Sequence, residues 1–104
     1  MAQFDVHPNP IPAARRAYPY VVVLQSEIAA HGRGQIVAPL VPRAALAPVT
    51  GRLTPVVSLE VGEFVALIPG LASVRRNDLG LPVTCLTQSR NELLAAIDYL
   101  FFGI

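Results

Sequence analysis

Short apolar runs, separated by breaks that contain proline or glycine, make up most of the chain before Ser89. The alternation over Gln3–His7 puts Phe4 and Val6 on one face and predicts a first strand that enters a half-buried sheet. Tyr20–Gln25 is rich in aromatic and β-branched residues and predicts a central strand that is buried on both sides. This part of the chain therefore has the pattern of a β protein.

The next apolar run, Gln35–Val41, also predicts a strand. Pro39 within it favours a sheet edge or a bulge, because proline has no N–H to donate to a neighbouring strand. The remaining strand-like segments are Leu53–Glu60 and Glu63–Ile68, joined in a hairpin across Val61 and Gly62, then Ala72–Val74 and Leu81–Leu86 around an exposed Arg-Arg-Asn-Asp turn. The intervening segments predict a long exposed loop, a hairpin connection and an Ala/Pro-rich linker: Asn9–Pro19, Ser26–Gln35 and Pro42–Gly51.

From Ser89 onward the period becomes that of a helix. Ser89 followed by Glu92 has the spacing of a capping box, and it predicts a helix from Arg90 toward Phe102. At about 100° per residue, the apolar positions share one side, which is the predicted core face: Leu93, Ala96, Ile97, Leu100 and the direction of Ile104.

Leu94, Asp98 and Phe102 stand at successive steps of four on the opposite side of this helix, which Asn91 also marks. An apolar, acidic and aromatic stripe on a solvent-facing side predicts a contact surface. The last turn has no Lys or Arg to offset its negative end, so a partner's arginine would pair with Asp98 and stack on a ring. Phe101 borders the core face and is expected to be partly structural, so Phe101→Ala should weaken binding and also lower stability, by about 3 kcal/mol or more if the ring is well buried.

Length and composition narrow the function. With 104 residues, 53% of them hydrophobic, and a net charge of +1, the chain fits one compact domain over residues 1–104 and not a disordered protein. The low net charge argues against tight binding of nucleic acid through charge alone, and we expect no direct sequence-specific binding of nucleic acid. All eight cations are arginine, which excludes lysine chemistry. One cysteine and no apolar run of about 20 residues predict a soluble, cytoplasmic protein that does not enter a membrane.

The chain carries no arrangement typical of catalysis. It has no Gly-x-Ser-x-Gly motif, and His7, His31 and Cys85 lack metal-ligand spacing. Glu60 and Glu63 flank the predicted hairpin turn, where solvated carboxylates are ordinary. The His-Gly-Arg-Gly turn lacks the spacing of either phosphate-binding loop. We therefore expect no catalytic residues, no cofactor and no metal.

Several segments together resemble one family. They are Gln3-Phe4-Asp5-Val6, Val23-Leu24-Gln25-Ser26-Glu27-Ile28, Ile36-Val37-Ala38-Pro39-Leu40, Leu53-Thr54-Pro55-Val56-Val57, Leu71-Ala72-Ser73-Val74 and Ala96-Ile97-Asp98-Tyr99-Leu100-Phe101-Phe102-Gly103-Ile104. In this order, over nearly the whole chain, they resemble the CcdB family of gyrase-poisoning toxins. The terminal aromatic-Gly-Ile after a short helix is the most specific of them.

The resemblance implies a mainly β fold, an SH3-like small β-barrel with one C-terminal α-helix, and a homodimer. It also implies the toxin of a toxin-antitoxin pair, which is not an enzyme, is neutralised by a CcdA-like antitoxin, binds the A subunit of DNA gyrase and traps that enzyme with its DNA cleaved. The implied gyrase-binding residues are Ser26, Ile28, Asp98, Phe101, Phe102, Gly103 and Ile104. The best-known toxic member has tryptophan at the position of Phe102 and asparagine at that of Asp98, so this chain keeps a stacking face but lacks the indole N–H donor.

Two alternatives remain open at this point. MazF-type endoribonuclease toxins share a similar barrel, and arginines are the chain's only candidates for their basic groove: Arg15, Arg16, Arg33, Arg75 and Arg76. A relative that binds antitoxin without poisoning gyrase is the other alternative. The charge of the Pro8–Tyr18 loop makes Arg15 and Arg16 the candidate antitoxin-binding residues, and the dimer surface is expected in Ile68–Val74 and the base of the helix.

Overall fold

A computed structural model describes residues 2–26, 32–45 and 51–103. Within these ranges the elements are seven strands and one α-helix: β1 Asp5–Pro8, β2 Tyr20–Val23, β3 Gly34–Pro42, β4 Val56–Leu59, β5 Gly62–Ala66, β6 Ala72–Arg75, β7 Thr84–Cys85 and α1 Arg90–Phe102. All strand pairs are antiparallel, in the order β4-β5-β3-β2-β1-β7, with β6 also on β3. The protein is a nearly closed small β-barrel with one C-terminal helix, which confirms the predicted fold class.

Strand β3 is central rather than an edge strand, because it pairs with β2 along one side and with two strands along the other. Its residues 34–37 pair with β6, and its residues 40–42 pair with β5. Pro39 lies where the partner changes, and its carbonyl accepts a 3.0 Å hydrogen bond from the N–H of Leu67. The nitrogen of a strand residue points to the same side as its carbonyl. The nitrogen of Pro39, which carries no hydrogen, therefore faces the gap between β6 and β5. The sequence predicted a sheet edge or a bulge at Pro39, and the edge is wrong because β3 is central.

The main core lies inside the barrel and under α1. Its members are buried apolar residues from most of the strands and from the helix: Phe4, Val6, Val22, Leu24, Ala38, Leu40, Val57, Phe64, Ala66, Ile68, Leu86, Leu93 and Ala96. A smaller cluster of Val21, Val23, Val37 and Leu79 lies on the other face of the sheet. Successive residues of β2 thus enter different clusters, which confirms that this strand is buried on both sides.

Several element boundaries differ from the predictions: β4 begins at Val56 rather than Leu53, and β7 is only Thr84–Cys85 rather than Leu81–Leu86. Phe4 is buried as expected but has φ 69°, so it lies in a turn and the first strand begins at Asp5. The β4–β5 hairpin turns at Glu60 and Val61, one residue earlier than predicted, because Leu59 pairs with Gly62. The predicted loop between β1 and β2 contains only a short 3-10 turn. In the described part of the chain, no helix has both the length and the apolar character that crossing a membrane requires.

Candidate functional site: the exposed end of helix α1

Helix α1 follows a 3-10 turn, Thr87–Ser89, and this turn takes the place of the predicted capping box. Ser89 has φ −101° and ψ 14°, and its side chain makes no capping hydrogen bond. A capping serine normally has an extended backbone, whereas the N–H of Ser89 is bound in the turn to the carbonyl of Leu86 at 3.0 Å. The capping box with Glu92 is therefore wrong, although the predicted helix Arg90–Phe102 is confirmed.

The buried side of α1 is built on Leu93 and Ala96, which are fully buried. Ile97 and Leu100 are half-buried and pack against the same core, as predicted. Leu94 also packs against this core. It lies one residue, or about 100° around the helix, from the buried Leu93, so the barrel covers more of α1 than the predicted core face. The predicted solvent stripe is therefore wrong at its first position.

The last turns of α1 present aromatic rings to solvent. Phe102 is 73% exposed and Phe101 is 61% exposed, and Asp98, one helical turn before Phe102, is also exposed. Phe101 borders the core face as expected, because it lines a surface groove together with the core residue Leu24 and with Ile97, which packs against the core. Two exposed phenylalanines beside a carboxylate form a surface of the kind that binds proteins.

Gly103 ends the helix in the left-handed conformation, with φ 73°. Its N–H donates a 3.0 Å hydrogen bond to the carbonyl of Tyr99. A Cβ at this position would meet no atom within 4 Å, so the backbone angle, not lack of space, requires glycine here. Gly103 therefore ends the helix directly after the exposed Phe102 ring. Ile104, which was predicted to be part of the site, lies outside the described residues.

An apolar groove of about 280 Å³ runs along one flank of α1. It is lined by Leu24, Gln25, Ile36, Leu71, Ile97 and Phe101. Gln25 fixes the end of β2 beside the groove, because its Oε1 accepts a hydrogen bond of 3.1 Å from the N–H of Ile36. Ser26 follows Gln25 directly and is half-buried, but it is not one of the residues that line the groove. Ile28 lies outside the described residues.

The opposite flank of α1 carries a contact that sequence reasoning missed. The guanidinium carbon of Arg52 lies 5.3 Å from the centre of the Tyr99 ring, which is within the range of a cation–π interaction. A second groove, of about 320 Å³, lies here between the helix and the segment before β4, lined by Gly51, Arg52, Pro55, Val56, Glu92 and Ala95. No local pattern signals this pairing, because the two residues are distant in sequence and only the fold brings them together.

Arg15 and Arg16, the candidate antitoxin residues, lie in the exposed loop between β1 and β2. The Nε of Arg15 donates a 2.6 Å hydrogen bond to the carbonyl of Asn9. This contact ties Arg15 to the end of β1, so the structure does not join it to the helical part of the predicted site.

The family model described as CcdB protein matches residues 3–103, nearly the whole chain. The chain belongs to the CcdB family. It is therefore a CcdB-family toxin, and its small barrel with one terminal helix agrees with the CcdB fold. A search of curated proteins finds no match to it.

Within the described residues of this CcdB-family chain, no three His, Cys, Asp or Glu side chains are grouped so as to hold a metal ion. His7 is buried in β1, with its Nδ1 2.9 Å from the carbonyl of Gly80, and His31 lies outside the described residues. Burial, with the neighbouring Asp5 carboxylate, raises the pKa of the half-buried Cys85 thiol. A raised pKa leaves the thiol protonated and poorly nucleophilic near neutral pH.

Proposed function

We propose that this CcdB-family toxin binds the A subunit of DNA gyrase through the exposed end of α1 and traps gyrase with its DNA cleaved. The observation that carries the proposal is the Phe102 ring, which is 73% exposed beside the left-handed Gly103. At roughly 25 cal/mol per Å², covering most of an exposed phenylalanine contributes about 2–3 kcal/mol to binding. The toxin acts by contact and not by catalysis.

The proposed contact surface consists of Ser26, Ile28, Asp98, Phe101, Phe102, Gly103 and Ile104. Asp98 and Phe102 are four residues apart and project from the same side of α1. One arginine of the partner can therefore pair with the Asp98 carboxylate and stack on the Phe102 ring. The phenylalanine serves this purpose without the indole donor that a tryptophan would bring.

A CcdA-like antitoxin is the second partner that we propose. The β1–β2 loop exposes Arg15 and Arg16 and contains no acidic residue between Asn9 and Pro19, which favours an extended acidic segment as its ligand. Both partners would meet the toxin in the cytoplasm, where gyrase acts.

We further propose that the toxin is a homodimer that pairs through Ile68–Val74, so that the second copy covers the Leu71 and Ile97 side of the groove and leaves the Phe101 ring to gyrase. The groove is apolar apart from Gln25, as expected of a surface that a partner covers. Sedimentation equilibrium tests this arrangement, since Ile97→Asp would yield a monomer while the wild-type protein sediments as a dimer.

Binding of the purified protein to gyrase A subunit tests the main proposal. We expect Phe102→Ala to weaken binding by about tenfold or more, as for truncation of a central aromatic contact. Val61→Ala is the matched control, because Val61 is also exposed, at 68%, but lies in the β4–β5 turn. Equal affinity of Phe102→Ala and wild type would contradict the site. Cleavage of total RNA by the purified protein would instead support the MazF-type alternative.

A further inference from the structure

Arg52 borders the proposed gyrase-binding surface, although it belongs to a different part of the chain. Its side chain is exposed, and its guanidinium lies over the ring of Tyr99. Tyr99 is itself 38% exposed and precedes Phe102 by three residues, so the two rings are neighbours on the surface of α1. The exposed end of the helix and Arg52 therefore form one continuous surface.

The guanidinium of Arg52 retains its hydrogen-bonding capacity. Among the described residues, its one assigned interaction is with the Tyr99 ring, and no hydrogen bond or ion pair involves its N–H groups. A guanidinium offers five N–H donors in a planar fork that fits a carboxylate. Because the ring already restrains the side chain, Arg52 loses less conformational freedom when it binds such a group.

The charges around Arg52 favour a protein carboxylate over the phosphates of DNA as its ligand. Glu92 lines the same groove, and Asp98 is exposed next to Tyr99. These carboxylates would repel a polyanion, and the net charge of the chain is only +1. A protein partner that places one carboxylate against Arg52 and one cation against Asp98 pairs each of these side chains with a group of opposite charge.

We propose that Arg52 is a specificity-determining residue for gyrase. Held by Tyr99, its guanidinium pairs with a carboxylate of the A subunit while Asp98 receives a basic side chain, and the two pairs of opposite sign fix the orientation of the complex. The inference rests on the proposed function, because it names a second contact with the same partner.

Titrations of the full-length toxin with gyrase A subunit, at low and at moderate salt and with and without DNA, test this assignment. Arg52→Met keeps the apolar stem and removes the charge, and Arg52→Lys keeps the charge without the planar fork. Arg43→Met is the matched control, because Arg43 is also exposed but pairs with Glu63 at the β5 side of the barrel. We expect Arg52→Met to weaken binding by about fivefold or more and to make binding less dependent on salt. The affinity of Arg52→Lys should lie between those of wild type and Arg52→Met. Arg43→Met should bind like wild type.

The outcomes separate this inference from the function on which it rests. If Phe102→Ala loses affinity while Arg52→Met binds like wild type, the inference is wrong and the proposed function stands. If wild-type toxin does not bind the A subunit, the proposed function is wrong and the inference with it. A loss that appears only when DNA is present would assign Arg52 to a phosphate. A loss that accompanies a lower unfolding temperature for Arg52→Met than for Arg43→Met would make the Tyr99 contact structural, which also overturns the inference.

Discussion

Replacing Phe101 by alanine tests how much this ring contributes to the stability of the fold, apart from its proposed role in binding. The side chain is 61% exposed, so about two-fifths of it contacts the protein, along the groove that it shares with Ile97 and Leu71. Truncation of a fully buried phenylalanine costs about 3–5 kcal/mol, part of which comes from the cavity left behind. The open groove leaves no closed cavity, so we expect Phe101→Ala to lower the free energy of unfolding by about 1 kcal/mol.

Leu93→Ala provides the internal reference for Phe101→Ala, because Leu93 lies on the same helix and is fully buried. Its truncation is expected to cost about 3 kcal/mol or more. Urea denaturation of both variants, at low and at high protein concentration, measures the two losses. The second copy is placed on the Leu71 side of the groove, so the Phe101→Ala loss should be the same at both protein concentrations. A loss equal to that of Leu93→Ala at every concentration would show that the ring is buried within one chain and would refute the exposed geometry.

Three further changes have expected outcomes. Gly103→Ala should lower the free energy of unfolding by about 1 kcal/mol in urea denaturation, because alanine is disfavoured at φ 73°. It should also weaken gyrase A binding, because the strained turn would disturb the proposed contact surface next to Phe102; unchanged affinity would contradict the role of this turn. Ser89→Ala should change unfolding by less than about 0.5 kcal/mol, because the hydroxyl makes no capping hydrogen bond; a loss of about 1 kcal/mol or more would restore the capping box. The rate of Cys85 alkylation, followed against pH, should rise with a midpoint at higher pH than for an unperturbed thiol, because burial and the Asp5 carboxylate raise the Cys85 pKa. Asp5→Asn should move this midpoint to lower pH. An unmoved midpoint would contradict the Asp5 contact.

Hydrophobic pattern and residue type were sufficient to predict the strands and the helix, because most elements bury one side of a regular pattern and β2, which is buried on both sides, is rich in β-branched residues. They failed where the surrounding fold sets the boundary of the buried side. Leu94 is half-buried and Phe101 is exposed because the barrel extends under one part of α1 and opens as a groove beside another. A helical wheel contains no information about the shape of the surface on which the helix lies.

The candidate site also has one part that was predictable from the sequence and one part that was not. Its helical end was predictable, since Asp98, Phe102 and Gly103 are close in sequence and their spacing alone places them together. The pairing of Arg52 with Tyr99 was not predictable, because it depends on how the segment before β4 crosses the helix. Pro39 is a similar case, since its missing donor is tolerated only because β6 gives way to β5 at that residue.

Trapping of cleaved DNA by gyrase tests the central claim most directly. The full toxin would be incubated with gyrase and supercoiled plasmid, and linear DNA would be measured after the complex is denatured. Wild-type toxin and the Val61→Ala control should produce linear DNA to the same extent, and Phe102→Ala should produce much less because it lacks the exposed ring. Linear DNA at the wild-type level with Phe102→Ala, or none with the wild-type toxin, would contradict the account.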